Sequence, residues 1–303
     1  MFQKNLQMKG NILFKLLLNL IVLFNYTKVI AQTNTEIFLL DIKFEQAKIE
    51  IYNIEKISTN KGYNNQPIFI SNNKVLFTSE RNFQNDIVLY NSSDNSLKYL
   101  TNTLTSEYSP IRYKKNKITA VSLDKKGEQY LRVYDIKNNT YNIPFKNKIV
   151  GYYNYSKKIK NLIVSSVLEN NELVLYASNL KTKQHSYVDN NTGRSIHNIP
   201  KNKFGEKKIS YISKKDSIWN INYVDLSCYK TKTITTTLNN NEDICWFKDG
   251  SILTSFKNNL YIFNTKFSND WILLCSLEKY GITNISRIAV NPNNDKLVLV
   301  NSK

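Results

Sequence analysis

A strand-rich pattern returns along this chain every 42 to 48 residues, and few architectures tolerate such an interval. Each unit reads as an entry strand, a loop, an inner hairpin, a turn and an outer strand. The entry strands are anchored near Ile68, Ile111, Tyr153, Asn198, Trp246 and Val290. The period is too long for one coil of a β-helix and suits a four-stranded propeller blade. Between the anchors, short β-branched or aromatic runs alternate with Asn, Asp, Gly and Ser, as in Lys74–Ser79 before Asp86–Tyr90, Lys117–Ser122 before Tyr130–Asp135, and Leu162–Val167 before Leu173–Ser178. Such pairs read as antiparallel hairpins, and nothing beyond residue 31 carries a helical i, i+3, i+4 stripe. The expected fold class is all-β, a six-bladed β-propeller.

The sixth unit contains only Arg287–Asn291 and Lys296–Val300, two strands where a blade needs four. Two unassigned strand-like segments, Glu36–Ile42 and Lys48–Ile54, stand at the other end of the domain. They are expected to complete a composite sixth blade as its outer strands, so that N- and C-terminal strands close the ring and leave no open sheet edge.

Residues 1–31 read as a signal peptide. Lys4 and Lys9 lead into an apolar stretch, Ile12–Phe24, that is short of the ~20 residues needed to cross a bilayer. Val29 and Ala31 supply small residues at the −3 and −1 positions, which predicts cleavage after Ala31 and a mature chain beginning at Gln32. The expectation is a periplasmic or secreted protein, with residues 32–303 forming one propeller domain and no transmembrane span after cleavage. The formal net charge of +18 loses only Lys4, Lys9, Lys15 and Lys28 with the leader, so the remainder stays strongly basic. Only five of the 42 basic residues are Arg, whose fork reads base edges and grips phosphates, and this argues against nucleic acid as a partner. Acidic polysaccharide and anionic membrane remain compatible with the charge. Cys228, Cys245 and Cys275 form no C-x-x-C pair, which disfavours a zinc site, and Cys245 beside Trp246 reads as a small buried hydrophobe.

Two of the units carry a recognisable motif order. The first has Asn65-Gln66-Pro67-Ile68-Phe69, then Lys74–Ser79, then Asp86-Ile87-Val88-Leu89-Tyr90; the second has Leu100-Thr101-Asn102-Thr103, Glu107-Tyr108-Ser109-Pro110, Lys117–Ser122 and Leu131-Arg132-Val133-Tyr134-Asp135. This order resembles the TolB-like, WD-like propeller repeat of exported bacterial proteins. The Ser-Pro-Asp-Gly turn of those repeats is replaced here by Ser71-Asn72-Asn73-Lys74 and Tyr113-Lys114-Lys115-Asn116. The resemblance implies an exported propeller and brings no catalytic residues with it.

Polar and aromatic residues at or just before the blade entries are the candidates for a site, because equivalent positions in a radial repeat face the axis. They are Gln66, Glu107, Tyr108, Tyr152, Arg194, His197, Asp243, Trp246 and Arg287, with Glu242 beside them. Each has a plainer reading as an inter-blade hydrogen-bonding or rim residue, and Trp246, like Trp219, as a core aromatic. His185, in a Lys-rich outer turn, reads as solvated. Arg194 and Arg287 suit a carboxylate or phosphate. The leading expectation is a monomeric binding module or scaffold in the cell envelope, with a protein partner or a small or anionic ligand at the channel mouth and no cofactor or metal. The alternative is a small-molecule hydrolase or lactonase using Glu107, His197 and Asp243, with a divalent metal in one version. No Gly-x-Ser-x-Gly elbow or phosphate-cradling loop is present, and no catalytic residue is assigned.

Overall fold

The computed structural model describes residues 34–200 and 207–302; the leader and the proposed cleavage site lie outside them. The described chain is a ring of six four-stranded antiparallel sheets. Blade 1 runs Asn64–Ser71, Lys74–Arg81, Gln84–Asn91, Ser96–Tyr99, and blade 2 runs Ser106–Lys114, Lys117–Leu123, Gln129–Asp135, Thr140–Asn142. Blade 3 comprises Val150–Tyr155, Leu162–Glu169, Glu172–Asn179 and His185–Asp189, and blade 4 comprises Thr192–Asn198, Lys208–Ser213, Asn220–Asp225 and Thr231–Thr236. Blade 5 follows with Ile244–Trp246, Ile252–Phe256, Asn259–Phe263 and Ile272–Ser276. Blade 6 takes Ile285–Val290 and Lys296–Ser302 from the C-terminal side and Thr35–Glu45 and Lys48–Lys56 from the N-terminal side. The composite blade is the one expected, with Thr35 opposite Ser302 and Asp41 opposite Lys296.

The burial pattern explains why these residues make these strands. Second strands are covered on both faces by neighbouring blades, so they combine large apolar residues with small hydroxyl-bearing ones and lack the in-out polar alternation; Leu162–Val167, with Ser165 and Ser166 at its centre, is buried at every position. Outermost strands such as Thr140–Asn142 are exposed and polar. Six apolar clusters among the described residues fill the gaps between adjacent blades; one joins Leu40, Leu297 and Leu299 of blade 6 to Phe247, Leu253 and Leu260 of blade 5.

With eight glycines in the chain, left-handed turn positions fall mostly to Asn. Asn170 and Asn171, both at positive φ, form the two-residue turn of the blade 3 hairpin. The Asn82–Phe83 turn has the same geometry and places a bulky side chain at φ +62.

The antiparallel order defines two ends. The end from which the chain enters each inner strand, here called the upper end, carries the inter-blade loops and the second turn of each blade. The lower end carries the first and third turns. Asn198, Trp246 and Val290 prove to be the last residues of their inner strands, whereas Ile68 and Ile111 lie within theirs. Ile68 and Ile111 line the central cavity as expected, and the ladder continues in blades 4, 5 and 6 with Ile196, Ile244 and Ile288, each two residues before the expected anchor.

Candidate functional site

The inner strands surround a central cavity of about 120 Å³. Gln66, Tyr152, Arg194, His197, Asp243 and Arg287 line it. Glu107, Tyr108 and Trp246 do not. The cavity is built by bulges near the strand entries: Gln66 and Ser109, 43 residues apart and each before a proline, both adopt left-handed backbone, φ +57 and +52. Gln66 Oε1 then accepts from the Ser109 amide (2.7 Å) and from Thr78 Oγ1 (3.1 Å), tying blade 1 to blade 2.

Toward the upper end, the third residues of two inner strands meet on one carboxylate. Arg287 donates to Asp243 Oδ1 at 3.0 Å and Arg194 donates to Asp243 Oδ2. Asp243 is 6% exposed in its side chain, against 30% for Arg194 and 16% for Arg287, so both guanidiniums sit over a nearly buried acid. Glu242 adds a second contact layer: its Oε2 accepts from the Arg194 amide at 2.9 Å and its Oε1 accepts from Lys214 Nζ. Gly193 makes room for this. A Cβ there would lie 2.8 Å from the Ile212 Cβ and 2.9 Å from Glu242 Oε2.

The electrostatics follow from the pairing. Burial alone would disfavour the Arg194 charge, but Asp243 and then Glu242 outweigh it, so the guanidinium is held protonated more firmly than usual. Glu242 and Lys214 cancel, whereas two arginines on one aspartate leave one positive charge in excess. Arg194 Nε is buried with no partner. Aromatic rings stand around the pair: the Arg287 guanidinium lies 5.9 Å from the Tyr152 ring centre, and Tyr63 packs edge-on against Tyr108 at 6.0 Å. Burial pushes the Tyr63 phenol up to about 12, while Arg287 and Arg194 pull the other way, which locates it beside the same charges. Tyr63 sits in the loop joining blades 6 and 1, where no periodicity distinguishes it.

His197 borders the cavity nearer the lower end of its strand. Burial lowers its pKa to about 4, against the pull of Asp243, so the ring is neutral at physiological pH. Glu107 is elsewhere. It is fully buried within blade 2, where its Oε1 accepts from Thr103 and Thr105 at 2.6 Å each and from Tyr134 at 3.1 Å, and burial raises its pKa despite these bonds. Glu107 therefore faces a network of its own blade and does not join His197 and Asp243. The Tyr108 hydroxyl accepts from Asn85 Nδ2 at 2.8 Å, and Trp246 Nε1 donates to Ser210 Oγ at 2.9 Å, bridging blades 5 and 4. His185 is exposed, with Ser178 Oγ 2.7 Å from its Nδ1. Among the described residues no group of three or more His, Cys, Asp or Glu side chains is placed to hold a metal ion, and no helix is long and apolar enough to cross a membrane.

Fold and site together define a six-bladed β-propeller with an arginine-lined channel mouth. Solved structures that share the architecture include a putative TolB from Agrobacterium tumefaciens, at 10% identity and a TM-score of 0.65, covering 89% of this chain and 99% of that one. TolB from Acinetobacter baumannii matches with a TM-score of 0.56 at 10% identity; 90% of this chain is covered but only 65% of that protein. An oligogalacturonate lyase from Vibrio parahaemolyticus matches with a TM-score of 0.58 at 12% identity, over 84% and 83% of the two chains. At such identities the likeness is one of fold. The sequence itself matches no family profile and no curated protein.

Proposed function

We propose that this protein is an exported, TolB-like binding module whose upper channel mouth takes an acidic group from a protein partner or small ligand. The observation that carries this reading is Arg194 and Arg287 sharing Asp243, with positive charge in excess and both guanidiniums partly exposed. The cavity, at about 120 Å³, is smaller than the ~300–1,000 Å³ that encloses a drug-sized ligand, so it suits a carboxylate or phosphate group rather than a whole metabolite. The remainder of a partner would rest on the upper end, where Phe83, Leu104 and Ile218 are 100%, 90% and 60% exposed. Apolar side chains round a polar mouth favour a protein surface. The fold it shares with TolB structures and the motif order of blades 1 and 2 are consistent with this. The hydrolase or lactonase reading has less support, because Glu107 is committed to Thr103, Thr105 and Tyr134.

Export rests on the leader reading and is tested by N-terminal sequencing, with Gln32 expected as the first residue. Binding is tested by calorimetric titration with inorganic phosphate and citrate. Arg287→Gln should weaken either anion at least about tenfold, as expected for a lost charge-assisted contact. No heat with either probe, or equal affinity in the variant, rejects the site.

A further inference from the structure

The basic charge of this chain is not spread evenly over the ring. At the upper end many bases are paired with acids: Arg81 with Asp86 at 2.9 Å, Lys56 with Glu36 at 3.2 Å, Lys148 with Glu169 at 3.1 Å, and Lys214 and Lys215 with Glu242 and Asp189. The exposed Lys125, Lys126 and Lys279, which enter no ion pair among the described residues, have Asp124, Glu128 and Glu278 beside them in sequence. The lower end differs. Its ion pairs, such as Lys117–Asp135 and Lys208–Asp225, sit at strand ends, and several of the turn tips between them are rich in lysine. Those tips read Lys114-Lys115-Asn116-Lys117 in blade 2, and Ser156-Lys157-Lys158-Ile159-Lys160 and Leu180-Lys181-Thr182-Lys183 in blade 3. Lys115, Lys160, Lys181 and Lys230 are exposed and enter no ion pair among the described residues. Acids do occur in lower-end turns, at Asp94, Asp249, Asp270 and Asp295, but not in the blade 2 and 3 tips just given.

Two further features share this end. A groove of about 540 Å³ opens between blades 2 and 3, with Lys114, Lys117 and Lys183 around Tyr113, Val133 and Leu180. Lys114 lies over the Tyr113 ring at 4.8 Å and Lys183 donates to the Pro144 carbonyl at 2.9 Å, so their positions are held. In blades 4 and 5 the third turns present Tyr229 and Phe267, 37% and 43% exposed, next to Lys230 and Lys266.

We infer that the lower end docks on an anionic lipid bilayer, with the groove between blades 2 and 3 receiving a headgroup. Lysines on long stems give diffuse point-charge attraction to a surface of many negative headgroups, and aromatic side chains beside lysines are the usual furniture of a membrane interface. A dissolved polyanion would be served by the same charge but has no use for two isolated aromatic tips on the far side of the disc. Docking by the lower end leaves the arginine-lined mouth facing away from the membrane.

The test is cosedimentation with phosphatidylcholine vesicles, with and without phosphatidylglycerol, using the full chain. The triple variant Lys115→Gln, Lys160→Gln, Lys181→Gln is set against an upper-end triple of equal charge, Lys125→Gln, Lys126→Gln, Lys279→Gln. All forms share one N-terminus, so any lipid affinity of residues 1–31 cancels in the comparison. The expected result is binding only to the phosphatidylglycerol vesicles, reduced roughly a hundredfold by the lower-end triple and no more than a few-fold by the upper-end triple. Equal losses would mean attraction to net charge and not to a face, and would overturn the inference. So would absence of vesicle binding, or dextran sulfate bound more tightly than vesicles with the same lysine dependence.

Discussion

The rings of Phe44 and Phe247 stack with their centres 4.0 Å apart and their planes 13° from parallel. Phe44 belongs to the N-terminal strand of blade 6 and Phe247 follows the inner strand of blade 5, so the stack fastens the closing strand to the blade before it. Phe44→Ala should cost about 2 kcal/mol, less than a fully buried phenylalanine because Phe44 is only partly covered. Thermal melting should fall by about 5 °C. Deleting Glu36–Ile54 should cost far more, since it exposes the edge of Lys296–Ser302; a truncated chain melting within a few degrees of the intact one would contradict the role of that pair.

Asp243 repels an incoming anion while it positions the two arginines. Asp243→Asn is expected to lower stability by about 2–3 kcal/mol, because two largely buried guanidiniums lose their shared counter-charge. The same change should tighten phosphate binding by about tenfold, from the removal of one nearby negative charge. Weaker binding in the variant would show that ordering of the arginines matters more than their net charge.

Glu107 makes a prediction about pH. Its folded pKa is raised chiefly by burial, so its contribution to stability is full below the ordinary glutamate range and is lost as pH rises through the raised value. The Tm of Glu107→Gln should therefore gain on that of the parent protein as pH increases from acid to neutral. A constant difference across that range would place the charge cost elsewhere.

His197 works in the opposite sense. Its folded pKa, about 4, lies below the ordinary 6.5, so the stability it supports is present above 6.5 and lost as pH falls toward 4. The effect is at most about 3 kcal/mol. Carboxylates titrate in the same window, and comparison with His197→Gln separates them: the variant should show a shallower decline in Tm between those pH values.

Phe83 occupies a left-handed position with its side chain wholly exposed. Phe83→Gly converts the turn to Asn-Gly, relieving about 1 kcal/mol of backbone strain and raising Tm by about 2–3 °C. If Phe83 contacts a partner on the upper end, the stabilised variant should bind that partner less well.

The ring was legible because radial repetition imposes an interval that survives divergence of individual residues, and because two leftover strands at each end demanded one another. Arg194, Asp243 and Arg287 were also legible, as polar residues at repeat-equivalent positions. Glu107 was misleading for a physical reason. It occupies an entry position in sequence, but Thr103, Thr105 and Tyr134 supply hydroxyls that hold it inside its own blade. Tyr63 escaped notice because inter-blade loops carry no periodic signal. Neither could the contrast between the two ends be read from composition, since it depends on which turns of an antiparallel blade share a side and on which lysines find an acid there.

Thr35–Glu45 pairs with Lys296–Ser302, and Lys296 Nζ reaches Asp41 across 255 positions of sequence. During synthesis, the first strand of the ring is thus among the earliest made and the last to find its neighbour. Until residue 302 is available, blade 6 exists as a hairpin with one naked edge, and such a contact of very long sequence separation makes closure the slow step. A chain with this order is suited to being kept extended until the whole of it has been delivered, and its vulnerable interval is the time between the fifth blade's completion and the arrival of the final strand.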